Sequence, residues 1–468
     1  MQPVLLSTDV LFFVLLGAAV CYGLYARRHE HLRAPWRQVA RQPLGIAAAV
    51  VLCAYLLVAI LDSLHFRAAL PTNGQRGAIY SRDLTSVFDV LVAPLRNNVE
   101  RTYSAPFAAE AYAKEIVELT DGSNGRAYPR LEHGGAHLRD PASERGADIA
   151  ARLIGGIALG SGLAIAVGAL AVSVGARRGR TTWNATALAM LRGTGAVPWR
   201  VILGVVALLA LLLGCGIALA PYYHVFGTDQ VGNDVLYQAL KSIRTGLLIG
   251  TLTTLVMLPF AVALGLAAGY FGGWVDDLIQ YLYTTLSSIP GVLLVAASAL
   301  MLEVYMARHG DSYASLAARA DLRLLALCLI LGVTTWTGLC RYLRGEALKL
   351  RAVDFVEAAR AFGVSDGKIL VRHILPNIMH IVMISIVLDF SGLVLAEAVL
   401  TYIDIGVDPS MESWGNMING ARLELAREPL VWWSLSAAFL LMFILVLAAN
   451  IFADAVRDAF DPRLRDME

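Results

Sequence analysis

Side chains able to hold a cation, relay a proton or attack a bond are sparse in this sequence. Asp229, Asn233 and Asp234 bring oxygen donors close together, but they lack the full spacing of a calcium loop, and a capped turn accounts for them more simply. Asp389 and Glu397 lie inside or at the edge of a long apolar run, where ionisable groups are costly and face a cavity or a partner. Asp389 is open to two readings, a residue lining a solute path or a polar contact between helices. Glu397 reads as structural. His373 and His380 bracket the start of the same run, with no Cys, Asp or second His at ligand spacing on a shared face, so both read as packing or interfacial groups. Cys21, Cys53, Cys215, Cys328 and Cys340 form no Cys-x-x-Cys pair and sit in or beside apolar runs. No G-x-x-x-x-G-K-[ST] loop is present, so this chain cannot cradle ATP phosphates itself. Neither a Gly-x-Ser-x-Gly elbow nor a His-Glu-x-x-His helix appears. Enzymatic chemistry is disfavoured, with no catalytic residue and no metal ligand assigned.

The elements that would position these groups are apolar. Of 468 residues, 57% are hydrophobic and only 16% charged, which fits a multi-span membrane protein. The net charge of +1 offers no electrostatic basis for nucleic-acid binding. Runs of spanning length fall near 9–26, 43–62, 153–174, 200–221, 245–268, 278–302, 324–341, 377–397 and 430–453, about nine in all. The fold expected is therefore an all-α polytopic bundle.

Orientation follows from the basic loops. Arg27, Arg28, Arg33, Arg37 and Arg41 follow the first run, and Arg177, Arg178, Arg180, Arg192 and Arg200 follow the third. The N-terminus is expected outside and the C-terminus, with Arg457, Arg463 and Arg465, in the cytoplasm. Arg308, Arg319 and Arg323 go against this trend by falling on the outer side. The first run reads as a retained span rather than a signal peptide, because Arg27 and Arg28 follow it instead of preceding it. Residues 63–150 are too long for a simple loop and read as a small helical extracytoplasmic domain. Leu84, Val87, Phe88 and Leu91 make one helical stripe there, Ala108, Tyr112, Ile116 and Leu119 a second, which Gly122-Ser123-Asn124-Gly125 ends. Trp414, Trp432 and Trp433 suit an interfacial aromatic belt.

One charged stretch, 346–377, interrupts the apolar region. Arg341, Arg344, Lys349, Arg351, Arg360, Lys368 and Arg372 place it on the cytoplasmic side. Phe355, Ala358, Ala359 and Phe362 share one helical face, with Asp354 and Glu357 in the first turns, where the helix dipole favours acids. Gly363 stops this helix, Ser365 caps a second short one and Pro376 ends it.

Glu357-Ala358-Ala359, Gly363 and Ile374-Leu375-Pro376 in this spacing resemble the EAA loop of bacterial ABC import permeases. In that family the loop is the coupling element and sits in a groove of the cytoplasmic ATPase. The resemblance therefore implies ATPase coupling for Asp354, Glu357, Ala358, Ala359, Gly363, Ile374, Leu375 and Pro376. His373 stands where the general pattern has Ile, and 372–377 is closer to the peptide-importer branch. From about 200 to 465 the chain is similar to the inner-membrane permease subunit of dipeptide and oligopeptide importers, whose six spans match the last six runs. Gly227-Thr228-Asp229 with Gly232-Asn233-Asp234 carries that likeness, as do 269–274 with Asp276 and Asp277, and Ser413-Trp414-Gly415-Asn416-Met417. Two positions depart from the family, Asn233 where relatives usually have Arg and Asp404 where they commonly have Gly. The division expected is 1–62 with two spans, the insertion 63–150, a third span and basic loop in 151–199, and the permease core 200–468.

The resemblance implies an inner-membrane importer subunit that moves di- or oligopeptides, or a similar small solute, by alternating access. Its expected partners are two cytoplasmic ATPase subunits, a second homologous permease, an extracytoplasmic solute-binding protein and membrane lipid. ATP and Mg would be bound by the ATPases, leaving this chain without a cofactor. Asp229, Asp234 and Trp414 are candidate contacts for the binding protein, and Asp389 a candidate for a peptide amino group. The rival classes are a secondary transporter driven by ion gradients, which would need paired membrane acids and broken helices, and a membrane scaffold.

Overall fold

The computed structural model describes residues 2–69, 80–81, 83–118, 124–195, 197–309 and 315–460. Strand β1 (Gln2–Val4) leads into helices α1 (Ser7–Arg28), α2 (Glu30–Val39) and α3 (Pro43–Ser63). The insertion follows with β2 (His65–Arg67), β3 (Thr85–Ser86), α4 (Val87–Leu91), α5 (Ala93–Asn97), β4 (Glu115–Glu118) and β5 (Asn124–Ala127). Next come α6 (Pro141–Gly179), α7 (Trp183–Arg192), α8 (Trp199–Leu219), α9 (Val235–Phe271), α10 (Gly273–Ser288), α11 (Gly291–Arg308), α12 (Leu316–Thr335) and α13 (Thr337–Arg351). The chain closes with α14 (Asp354–Ala361), α15 (Asp366–Ile369), a π-helical turn Leu370–Ile374, α16 (Leu375–Tyr402), α17 (Trp414–Glu424) and α18 (Trp433–Phe460).

The protein is an all-α polytopic bundle, and among the described residues eight helices are long and apolar enough to cross a membrane: α1, α3, α6, α8, α9, α11, Asp366–Tyr402 and α18. The sequence pattern anticipated nine, and two of its runs resolve differently. The run at 278–302 breaks at Ile289-Pro290, because proline lacks the N–H that would continue a helix, and the spanning piece starts at Gly291. The run at 324–341 divides at Trp336 between α12 and α13, and α12 opens with Arg319, Asp321 and Arg323. Local chemistry sets the helix ends. Pro141 and Pro43 take first-turn positions, where no N–H is needed, and Arg27, Arg28, Arg177 and Arg178 occupy last turns, where the dipole favours cations.

The insertion contains more strand than its apolar stripes imply. The first stripe does form a short helix, α4, closed by a capping box in which Ser86 and Asp89 satisfy each other's backbone N–H groups. The second does not. Residues 115–118 form β4, antiparallel to β5 with Ile116 opposite Arg126, while Ala111 and Tyr112 donate their N–H groups to Pro129 and Tyr103. The expected helix over 108–119 is thus replaced by a hairpin, since cross-strand pairing outweighs a four-residue stripe. Leu119, Gly122 and Ser123 lie outside the described residues, as do Arg463 and Arg465.

The chain forms two compact units. The first comprises 1–4, 38–245 and 412–448, the second 5–37, 246–411 and 449–468. In the first, α6 and α8 meet backbone to backbone: a Cβ on Gly160 would stand 2.6 Å from the Ala210 carbonyl oxygen, and one on Gly214 2.5 Å from that of Gly156. This small-residue seam allows the close approach that holds helices together in lipid. A buried polar knot ties α3, α4 and α9 in the same unit. Lys241 Nζ lies 2.5 Å from Asp89 and 3.7 Å from Asp62, and Ser86 donates to Asp62 at 2.7 Å. In the second unit, α1 is clasped to α12 by the backbone N–H and hydroxyl of Thr8, which both donate to the buried Asp321.

Candidate functional site

The charged stretch folds as an exposed helical hairpin on a buried foundation in the second unit. Helix α14 turns Val356 and Ala359 inward, where they join an apolar cluster with Leu343, Ala347, Ile369 and Ile374. Its other side is open. Asp354, Phe355, Glu357, Ala358 and Phe362 are exposed, and Phe362 is 87% exposed. The apolar stripe expected at Phe355, Ala358, Ala359 and Phe362 therefore splits, with Ala359 anchoring the helix and the other three facing away. Gly363 takes φ +75° in space that would admit a Cβ, so its backbone conformation, not crowding, is what suits glycine.

Ser365 stands at the N-cap of α15 as expected, but Pro376 does not end that helix. The helical path runs on through Leu370–Ile374 into α16, with Pro376 in the first turn. A proline ring clashes with the carbonyl four residues back, and the widened π turn before it relieves that clash. The Asn377 amide adds a bond to the His373 carbonyl at 2.6 Å. Of the family-motif residues, Ile374 is buried, Leu375 half-buried and Pro376 exposed.

Contacts that the sequence pattern did not single out fix this hairpin to its neighbours. Tyr270 donates its hydroxyl to Asp366 at 2.6 Å, and the Arg360 guanidinium lies 5.3 Å from the Tyr270 ring centre. Arg344 grips Asp276 with both ends of its fork, at 2.5 and 2.7 Å, joining α13 to α10. That guanidinium holds the Asp276 carboxyl below its usual range. Bidentate charge-assisted bonds of this kind are the strong ones. A double-mutant cycle of Asp276→Asn and Arg344→Gln is expected to give a coupling of about 1–3 kcal/mol in thermal unfolding. Additive losses would show the pair to be incidental.

Beneath it, α9 and α13 share a second close seam. A Cβ on Gly269 would meet the Ala347 Cβ and the Arg344 carbonyl oxygen, each at 2.6 Å, and one on Gly265 the Cys340 carbonyl oxygen at 2.8 Å.

The residues expected to meet a binding protein are mostly internal to the first unit. Trp414 is 1% exposed and donates its indole N–H to the Ala239 carbonyl at 3.0 Å. Asp234, also 1% exposed, accepts from the Tyr237 N–H at 3.1 Å and pairs with His224 Nδ1 at 2.7 Å. Burial removes both from direct contact with another protein in this structure, and this corrects the expectation. Asp229 accepts from the N–H groups of Val231 and Asn233 at 2.9 and 2.8 Å, as a capped turn requires. Asn233 turns its amide toward Asp229, at 3.4 Å. Among the described residues no group of three His, Cys, Asp or Glu side chains is placed to hold a metal.

Asp234 belongs to a triad that sequence spacing did not reveal. His224 is 3% exposed and lies between Asp234 and Glu100, with Nε2 at 3.3 Å from Glu100. Glu100 also accepts the N–H groups of Glu132, His133 and Gly134 at 2.8 to 2.9 Å. Burial by itself would lower the His224 pKa, but the bonds and charges of Asp234 and Glu100 outweigh it and push it up to about 9. Glu100 is shifted the opposite way: burial would raise it, and His224 with the three N–H groups brings it down to about 2.

Asp389 lies half-buried on α16 with no hydrogen bond or ion pair among the described residues, so the interhelical contact is not made here. Glu397 is buried and accepts from Thr401 at 2.9 Å, a structural role. Asp404 adopts the left-handed backbone, φ +64°, that glycine takes readily and that aspartate tolerates better than most residues.

The profile of the family described as "Binding-protein-dependent transport system inner membrane component" matches residues 261–466. The chain is 31% identical over 240 residues to the dipeptide transport system permease protein DppC of Lactococcus lactis, covering 51% of this chain and 64% of that protein. It is 31% identical to the glutathione transport system permease protein GsiD of Pectobacterium atrosepticum, over 52% of this chain and 73% of that one. With the oligopeptide transport system permease protein OppC of Mycobacterium tuberculosis the identity is 32%, over 52% and 77% respectively. With this coverage, the chain belongs to the family of binding-protein-dependent transport system inner membrane components, the permeases of ABC importers.

Proposed function

We propose that this chain is one of two homologous permeases in an ATP-driven importer of di- or oligopeptides in the bacterial inner membrane. Two cytoplasmic ATPases would bind ATP and Mg and seat α14 in a groove. An extracytoplasmic solute-binding protein would deliver the cargo, and the two permeases would line the cavity between them. The peptide cargo rests on the dipeptide, oligopeptide and glutathione systems named in the relatives. In this arrangement the N-terminus lies outside and the C-terminus in the cytoplasm, which requires α12, its charged first turns outermost, to cross as a ninth segment beside the eight most apolar helices.

The observation that carries this reading is the open face of α14. A helix anchored by Val356 and Ala359 but presenting Phe355, Ala358 and Phe362 to solvent beside Glu357 is half of an interface. Closure of the ATPases would move this helix. The unbroken helical path from Asp366 to Tyr402 would carry the displacement into the membrane.

The test is ATP-dependent peptide uptake by the reconstituted complex. Glu357→Lys is expected to lower it about 10-fold or more while the protein still inserts, because reversing a charge at an interface weakens docking. Unchanged uptake would rule out coupling through this helix.

A further inference from the structure

The second unit contains a crevice between α11 and α12. Positions 299, 302, 303 and 306 form one face of α11, and 319, 323, 327 and 330 one face of α12. Leu302, Met306, Leu327 and Ile330 make apolar walls, and the turn at Ile405-Gly406 borders one side. Into this lining α12 places two arginines one turn apart, Arg319 and Arg323.

Their charges are balanced unequally. Arg323 Nη1 stands 3.9 Å from both Glu303 and Asp408, at the outer limit of an ion pair. The Arg319 Nε is enclosed and has no hydrogen-bond partner among the described residues. A buried, unsatisfied guanidinium N–H is costly, and two cations one helical turn apart repel. In the orientation proposed above, these arginines also lie on the outer side, against the usual Lys/Arg bias. An anion in the crevice would relieve all three costs. The planar guanidinium fork matches a carboxylate or phosphate with two parallel bonds, and the first-turn N–H groups of α12 add positive potential nearby.

We propose that this crevice is an oxyanion site in which Arg319, supported by Arg323, holds one carboxylate or phosphate group. Two sources supply that chemistry. One is the terminal carboxylate of a peptide, which rests on the importer reading. The other is the headgroup phosphate of an anionic lipid, which does not.

The experiment uses the full chain in nanodiscs, as wild type, Arg319→Gln and Arg319→Lys. In one arm, titration calorimetry compares trialanine with its C-terminal amide in phosphatidylcholine discs. In the other, native mass spectrometry counts phosphatidylglycerol retained by the protein. Arg319→Gln is expected to weaken the oxyanion ligand about 10-fold or more, with Arg319→Lys in between, since a charged hydrogen bond is lost. Selectivity for trialanine over the amide identifies a solute carboxylate, and lipid retention alone identifies a lipid phosphate. Should Arg319→Gln fail to fold, Arg319→Lys, which keeps the charge but not the fork, makes the same comparison. Equal binding in both arms by wild type and folded variants overturns the site. Peptide uptake measured alongside separates the two ideas: Arg319-dependent binding without ATP-driven uptake leaves the oxyanion site standing and removes the importer reading.

Discussion

Replacing His224 with alanine is expected to destabilise the first unit by about 3–5 kcal/mol, the usual result of removing one partner from a buried ionic group. The imidazolium lies between Asp234 at 2.7 Å and Glu100 at 3.3 Å, and both carboxylates are almost fully enclosed. Without His224 two buried negative charges would face each other, with three backbone N–H groups supporting Glu100 and one, from Tyr237, supporting Asp234. Adding Asp234→Asn removes one of those charges and is expected to restore part of the loss, so the double variant should be more stable than the sum of the single ones.

The same triad sets a pH dependence. The folded pKa of His224 is raised from 6.5 to about 9, so its contribution is fully present below 6.5 and is lost as pH rises through 9. Glu100 is lowered from 4.5 to about 2, so its contribution is present above 4.5 and fades as pH falls toward 2. Thermal midpoints of the wild type should therefore fall at both ends of the range. In His224→Ala the alkaline fall should disappear. An unchanged alkaline limb in that variant would show that the histidine is not the group responsible.

Gly269→Leu is expected to be nearly as damaging, by a different route. The added side chain would push into the Arg344 carbonyl oxygen and the Ala347 side chain of α13, and backbone cannot swing aside as a flexible side-chain tip does. Overpacking of this kind costs about 1–3 kcal/mol and more where backbone must move. Because Arg344 on the same helix holds Asp276 of α10, displacing α13 also breaks the bidentate pair beneath the exposed hairpin. The variant should lose thermal stability in detergent and retain less ATPase on co-purification. Gly269→Leu with wild-type stability and wild-type ATPase retention would mean that the seam is looser than the backbone distances indicate.

What the residues settled alone is what depends on near neighbours. Span-length apolar runs and basic flanks are local patterns that marked an all-α polytopic membrane protein, and the permease assignment came from the family resemblance that the Glu357-to-Pro376 spacing carries. The Asp229 turn was legible for the same reason, since its acceptors and donors lie within four residues.

The tertiary structure decided everything that joins distant positions. Glu100 meets His224 across 124 residues and Arg344 meets Asp276 across 68, pairs that no periodicity encodes. Burial of Trp414 likewise depends on Ala239, 175 residues away, so an aromatic that suits an interface by type turned out to be a core anchor. The pairing of β4 with β5 replaced a helix because strand pairing gains its hydrogen bonds from a second segment, whose arrival one stripe cannot announce. Arg319 shows the same limit: its charge is plain in the sequence, but the enclosure of its Nε, without a partner among the described residues, arises only where α11 packs against α12.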